Sequence, residues 1–190
     1  MADVKEQEII IHMTPTGEMV GPVGREDAHN KENPIPHAVV FTLLATKNKV
    51  DGQLEKGLFQ VRGEQVKAYP GYLTLTASGH IQYEEGKPIS QIALENAFRE
   101  TAEETGLVEN FPFELAAQGF LGIEKDQQYM FIFLAYVDEL PTSLSTQEAE
   151  VKKMLTLKLG ELMEFIQNGK VTPFALEALR LMGIIPSESS

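Results

Sequence analysis

The sequence predicts an α/β (α+β) fold in which a mixed β-sheet is sandwiched between α-helices, and three observations carry that expectation. Short β-branched and aromatic runs outnumber the helical stretches, one amphipathic stretch of helical length sits mid-chain at residues 90–105, and further helical stretches cluster late, at 157–167 and 173–182. At 190 residues and 43% hydrophobic, the chain has the size and apolar content of one packed domain. We place its core at about residues 9–182 and leave the polar tail 187–190 outside it.

Taken in order, residues 8–13 (Glu8-Ile9-Ile10-Ile11-His12-Met13) form a β-branched run that predicts a first strand, followed by a Gly/Pro-rich loop over 14–24. Residues 38–45 are a continuous apolar run of strand length. A polar hairpin loop over 47–57 then leads to a partner strand at 58–62. The turn Tyr69-Pro70-Gly71-Tyr72 precedes an alternating strand at 73–77. In the helix at 90–105, Ser90 can cap the start, Gly106 can end it, and Ile92, Ala93, Ala97, Phe98 and Ala102 supply an apolar face opposite an acidic one. Residues 113–123 and 129–137 predict two more strands, the second apolar enough to be buried on both faces, which makes Tyr129 and Phe131 core residues. Gly169 and Pro173 punctuate the two closing helices.

Sixteen Lys and Arg against 28 Asp and Glu give a net charge of −12, which argues against a nucleic-acid polymer as partner. The absence of cysteine excludes disulfides, thiol nucleophiles and cysteine-based zinc sites, and fits a cytoplasmic location. No stretch reaches the roughly 18–20 apolar residues that span a bilayer, and residues 1–8 are polar and acidic, so neither a membrane anchor nor a secretory signal is expected.

The string that carries chemistry is Arg99-Glu100-Thr101-Ala102-Glu103-Glu104-Thr105-Gly106-Leu107. On a helix, Glu100 and Glu104 stack one turn apart with Glu103 beside them, so three carboxylates share one patch. Like charges so placed call for a counter-charge, and a hard divalent cation such as Mg²⁺ or Mn²⁺ suits an all-oxygen cluster and can bridge to phosphate. The plainer alternative is a solvated acidic helix face.

This string, R-E-x-x-E-E-x-G followed by an apolar residue, resembles the second half of the Nudix box. Five identities at fixed spacing recur by chance only about once per million positions at average residue frequencies. The resemblance implies a Nudix-type sheet-and-helix sandwich and metal-dependent hydrolysis of a nucleoside-diphosphate-type or other organic diphosphate. It makes Glu100, Glu103 and Glu104 metal ligands and gives Arg99 the role of orienting them. The first half of the box departs from the pattern: Glu85 and Gln91 stand where the family has Gly and Glu. Gly79 can supply the glycine if the loop over 82–89 is about six residues longer than usual.

Further landmarks resemble one branch, isopentenyl-diphosphate isomerase and its relatives: Gly21-Pro22-Val23-Gly24-Arg25, His29, His37 to Phe41, Gln60-Val61-Arg62, Lys67 to Gly71, and Ser78-Gly79-His80. That likeness implies substrate contacts from Arg62, Lys67, Gly79 and His80, and a second metal site at His29, His37 and His80. His12 has no motif around it and is read as structural. The isomerase's proton-transfer cysteine is Ser78 here, and the position that aligns with its catalytic carboxylate is Gln128, with Glu124 and Asp126 just before it.

Three readings follow: a Mg²⁺- or Mn²⁺-dependent hydrolase, a non-catalytic diphosphate-binding module, and an isomerase-like enzyme. In each the partner is a small-molecule diphosphate. A homodimer paired through strand 8–13 is a further expectation.

Overall fold

A computed structural model describes residues 7–50, 52–123, 125–146 and 150–187. Glu124, one of the carboxylates considered above, and residues 188–190 of the tail lie outside the described residues.

Two long apolar strands form the centre. Strands β3 (His37–Lys47) and β8 (Asp126–Tyr136) run parallel, paired from His37↔Gln128 to Ala45↔Tyr136. Because successive side chains point to opposite faces, each strand feeds two cores. Val39, Phe41, Leu43, Met130 and Ile132 face one layer, where they meet Leu162 of α3 (Leu159–Gln167) and Phe174, Ala178 and Leu179 of α4 (Pro173–Leu181). Ala38, Val40, Leu44, Tyr129 and Phe131 face the other, where they meet Ile92, Ala93 and Ala97 of α2 (Ile89–Thr105). The mixed sheet between helices is therefore present as expected, and Tyr129 and Phe131 are core residues.

Around this pair the sheet is antiparallel. Strand β1 (Ile9–Met13) lies between β2 (Met19–Gly24) and β3, β4 (Leu54–Arg62) pairs with β3, β5 (Leu73–Thr74) and β9 (Val151–Lys158), and β7 (Glu114–Ile123) pairs with β8. The four-residue helix α1 (Arg25–Ala28) follows β2.

Several elements differ from the sequence reading, each for a physical reason. The loop expected over 14–24 is a turn only to residue 18, where Thr14 N–H donates to Glu18 O (2.8 Å); residues 19–24 form an edge strand, a place where Pro22 costs no ladder bond. Strand β1 pairs along its length with β2, meets β3 at His12↔His37, and bonds residues 81–83 through Ile11 N–H to Ile81 O and Tyr83 N–H to Ile9 O. Strand β9 was unexpected because its Lys, Met and Leu residues favour helix in isolation. Pairing with β4 overrides that preference and moves the helix start from 157 to Leu159. Ser90 does not cap α2; Pro88, extended at φ −63° and ψ 139°, takes that position and Ser90 lies inside the helix.

The strand expected at 73–77 is split into β5 and β6 (Ala77–His80). Thr76 sits at the break, its hydroxyl accepting from Leu44 N–H (2.9 Å) and donating to Leu58 O (2.6 Å), where β3 and β4 part. The strand thereby changes partner from β4 to β3, which delivers Ser78-Gly79-His80 against α2. Thr76→Val keeps the shape and removes both bonds. Leaving buried backbone groups unpaired costs about 1–3 kcal/mol, so urea unfolding should show a lower midpoint with an unchanged slope.

Candidate active site

Helix α2 buries Ile92, Ala93, Asn96, Ala97, Glu100, Thr101, Glu104 and Thr105, one continuous stripe at three- and four-residue spacing. Glu100 and Glu104 thus belong to the inward stripe and not, as the sequence reading had it, to an outer acidic face. Only Glu103 of the three lies at the surface, its side chain 48% exposed. Gln91 is on the outer face, donating to Glu95 Oε1 (2.9 Å), so this departure from the box pattern leaves the buried carboxylates untouched.

Strand β6 lies across the end of this stripe. Ser78 N–H donates to Glu104 Oε2 (3.0 Å), and Gln60 of β4 donates to the same oxygen from Nε2 (2.7 Å). Gly79 passes so close to Glu100 that a Cβ at this position would overlap the Glu100 carboxyl. Arg99 is held by Asn96 Oδ1 (2.6 Å) and reaches Glu100 Oε1 (2.7 Å) with Nη2, while Nη1 makes longer contacts to Glu103 (3.3 and 3.4 Å). Among the described residues, Glu100 Oε2 and Glu104 Oε1 accept no hydrogen bond.

Burial pushes the Glu100 carboxyl up to about 7, against the pull of Arg99. Burial and the neighbouring Glu100 push Glu104 up to about 8, although Ser78 and Gln60 oppose the rise. Glu150, just before β9, adds negative charge to both. Two buried carboxylates that resist ionisation, each with an oxygen lacking a donor, fit a hard cation.

A second cluster lies at the other end of β6. The ligand atoms of His29, His37 and His80 fall within 4.8 Å of one another. His29 and His37 each direct Nδ1 to a backbone carbonyl, Arg25 O and Ile35 O (both 2.9 Å), which turns Nε2 toward the cluster. Burial lowers the pKa of His37 and holds His80 well below the usual imidazole range. Asp126 stands 3.6 Å from His37 Nε2 and 3.9 Å from His29 Nε2, and accepts from Gln128 Nε2 (2.8 Å) through its other oxygen. Among the described residues, His37 Nε2 and Asp126 Oδ1 are buried without a hydrogen-bond partner. A neutral imidazole lone pair facing a carboxylate oxygen is repulsive, and a cation between them would relieve it. The residues therefore fit a second metal, with Asp126 as a donor that the sequence reading had considered only for isomerase chemistry.

The expected substrate contacts are placed less uniformly. Arg62 is half-buried at the end of β4, donates from Nε to Ala68 O (2.9 Å), and has its pKa lowered by burial while Glu104 and Glu150 act to raise it. Lys67 is exposed in the loop 63–72 and has no ion-pair partner among the described residues. In that loop Tyr69 adopts φ 53°, the only positive φ at a non-glycine described residue, and packs edge-on against Tyr72 with ring centres 5.7 Å apart. His12 is half-buried and pairs across the sheet with His37. Sequence reasoning missed the roles of Gln60 and Asn96. Their one signal is a polar residue where strand alternation or the helix stripe calls for an apolar one.

No protein-family model matches the sequence, and no curated protein matches it. Solved structures do. A protein from Deinococcus radiodurans superposes with a TM-score of 0.63 at 18% identity, covering 92% of this chain and 99% of its own. A Nudix hydrolase from Alicyclobacillus acidocaldarius superposes with a TM-score of 0.60 at 12% identity over 80% of this chain and 92% of its own. The chain has the Nudix fold. The Nudix domain of Shewanella oneidensis NrtR, complexed with ADP ribose, has a TM-score of 0.53 at 20% identity over 77% of this chain and 83% of its own. No helix among the described residues is long and apolar enough to cross a membrane.

The raised carboxyls set the pH dependence of the metal-free protein. Unfolded, Glu100 and Glu104 titrate near 4.5; folded, near 7 and 8. The folded state thus binds more protons between these values, and its stability falls as pH rises from about 4.5 through 8. Urea midpoints of metal-free protein should decline across this window, and Glu104→Gln should flatten the decline.

Proposed function

We propose that this chain is a Mg²⁺- or Mn²⁺-dependent Nudix hydrolase that cleaves an organic diphosphate, X-P-P-Y plus water giving X-P and P-Y. The observation that supports it best is the end of α2, where the buried Glu100 and Glu104 meet β6, each with one carboxylate oxygen that accepts no hydrogen bond among the described residues, and Glu103 lies beside them at the surface. In this reading the chain acts as one domain on a small molecule, with no nucleic-acid polymer or membrane as partner, in the cytoplasm.

The bound cation would neutralise charge on the phosphoryl oxygens and lower the pKa of water. Glu100, Glu103 and Glu104 would hold it, each turned by an internal partner that occupies its other oxygen or steers its carboxyl. Arg99 sets the first two and Gln60 with Ser78 the third. Arg62 and Lys67 would bind the diphosphate charge, with Gly79 and His80 of β6 as further contacts. The attacking oxygen forms a bond to one phosphorus, the bridging P–O bond breaks, and the proton passes to a carboxylate. His29, His37, His80 and Asp126 would hold a second cation, for which nitrogen donors favour Mn²⁺ or Zn²⁺ over Mg²⁺.

Isomerase chemistry is not supported: the side chains at its two proton-transfer positions are the Ser78 hydroxyl and the Gln128 amide, both poor proton carriers near neutral pH. The non-catalytic reading remains a distinct outcome, because the Shewanella domain binds ADP ribose.

The test is a Mg²⁺ and Mn²⁺ activity screen over diphosphates, ADP ribose among them, with mass detection of both products. Paired products are expected. Thermal stabilisation without cleavage would select the binding module, and deuterium exchange into isopentenyl diphosphate would select the isomerase. Replacing Glu103 and Glu104 with Gln should abolish metal-dependent turnover with the fold retained by circular dichroism.

A further inference from the structure

Gln60 is 1% exposed on a strand whose neighbouring residues Leu58, Phe59 and Val61 fill the two cores. A primary amide in such a place costs free energy unless it is bonded, and an apolar residue would be the cheaper choice. Its Nε2 donates to Glu104 Oε2 at 2.7 Å, across 44 residues of sequence. Turning the amide round would set its oxygen against the carboxylate, so the chemistry of the partner fixes the donor orientation. With Ser78 N–H donating to the same oxygen at 3.0 Å, Oε2 is occupied by two internal donors while Oε1 accepts no hydrogen bond among the described residues.

We propose that Gln60 is a positioning residue for metal binding: it fixes the Glu104 carboxylate so that Oε1 is the oxygen left for the cation. The proposal rests on the metal-dependent reading above and adds to it a residue from a different element. Gln60 touches neither the cation nor the substrate; it acts through Glu104, as groups behind metal ligands do when they hold a ligand's orientation. Strand β4 would then set the ligand geometry of a helix it does not follow in sequence.

Calorimetric titration with Mg²⁺ alone tests this without any substrate, and Mg²⁺ discriminates against the imidazole cluster. Three proteins are compared: the unmodified chain, Gln60→Met, which keeps length and removes the donor, and Glu104→Gln. Loss of such a supporting group weakens metal affinity by about 10- to 100-fold, and Gln60→Met should show a loss of that order while remaining folded. Affinity within about twofold of the unmodified chain, alongside a clear loss in Glu104→Gln, overturns the role of Gln60 and leaves the metal site standing. Equal affinity in the unmodified chain and Glu104→Gln removes the metal site and the proposal together.

Should Gln60→Met fail to fold, the side-chain amide resonance of Gln60 in the unmodified protein decides. It should be protected from solvent exchange and should shift on addition of Mg²⁺. A freely exchanging or unmoved resonance overturns the proposal.

Discussion

Two carboxylates on the inward stripe of α2 are the constraint to which the rest of the site answers. Glu100 and Glu104 occupy positions where helix periodicity demands packing against the sheet, yet neither can be taken from water without compensation. The surrounding structure supplies it in pieces. Arg99 meets Glu100, Gln60 and the Ser78 backbone meet Glu104, and Gly79 withholds a side chain where Glu100 needs space. The compensation is partial, which is why both carboxyls still resist ionisation. The cation proposed above would offset the charge that this compensation leaves.

The fold explains how such different residues meet. The break at Thr76 lets the chain leave β4 and pair with β3, so β6 ends up beneath α2, although the helix begins only after an eight-residue loop, 81–88. From β6, backbone and side chains face both clusters: Ser78 and Gly79 toward the glutamates, His80 toward His29, His37 and Asp126. Arg99 ties the two regions, since its Nη2 also lies 3.4 Å from His80 O.

Much of the architecture was legible because its strongest signals are local. The apolar runs at β3 and β8 and the periodicity of α2 lie close to where the sequence places them. Strands β2 and β9 were not, because each owes its conformation to a partner strand and not to its own residues. The box glutamates were legible as a motif, but their inward direction was not, since periodicity alone does not say which stripe the sheet covers. Gln60 reads as one polar residue in an apolar strand, and only the register of β4 against α2 gives it a partner. Asp126 was visible as a carboxylate, yet His29 just after α1 and His37 at the start of β3, which face it, are related to it by no spacing in the sequence.

The eight residues between β6 and α2 are anchored at both ends. Ile81 N–H bonds Ala38 O, Ile11 N–H bonds Ile81 O, and Pro88 stands at the head of the helix. Interval along the chain and separation in space are thereby uncoupled: this segment can gain or lose residues while the glycine keeps its seat against the carboxyl. A family built on this plan can diversify its rim by insertion at a point where fixed-interval patterns fail, and leave the interior chemistry undisturbed.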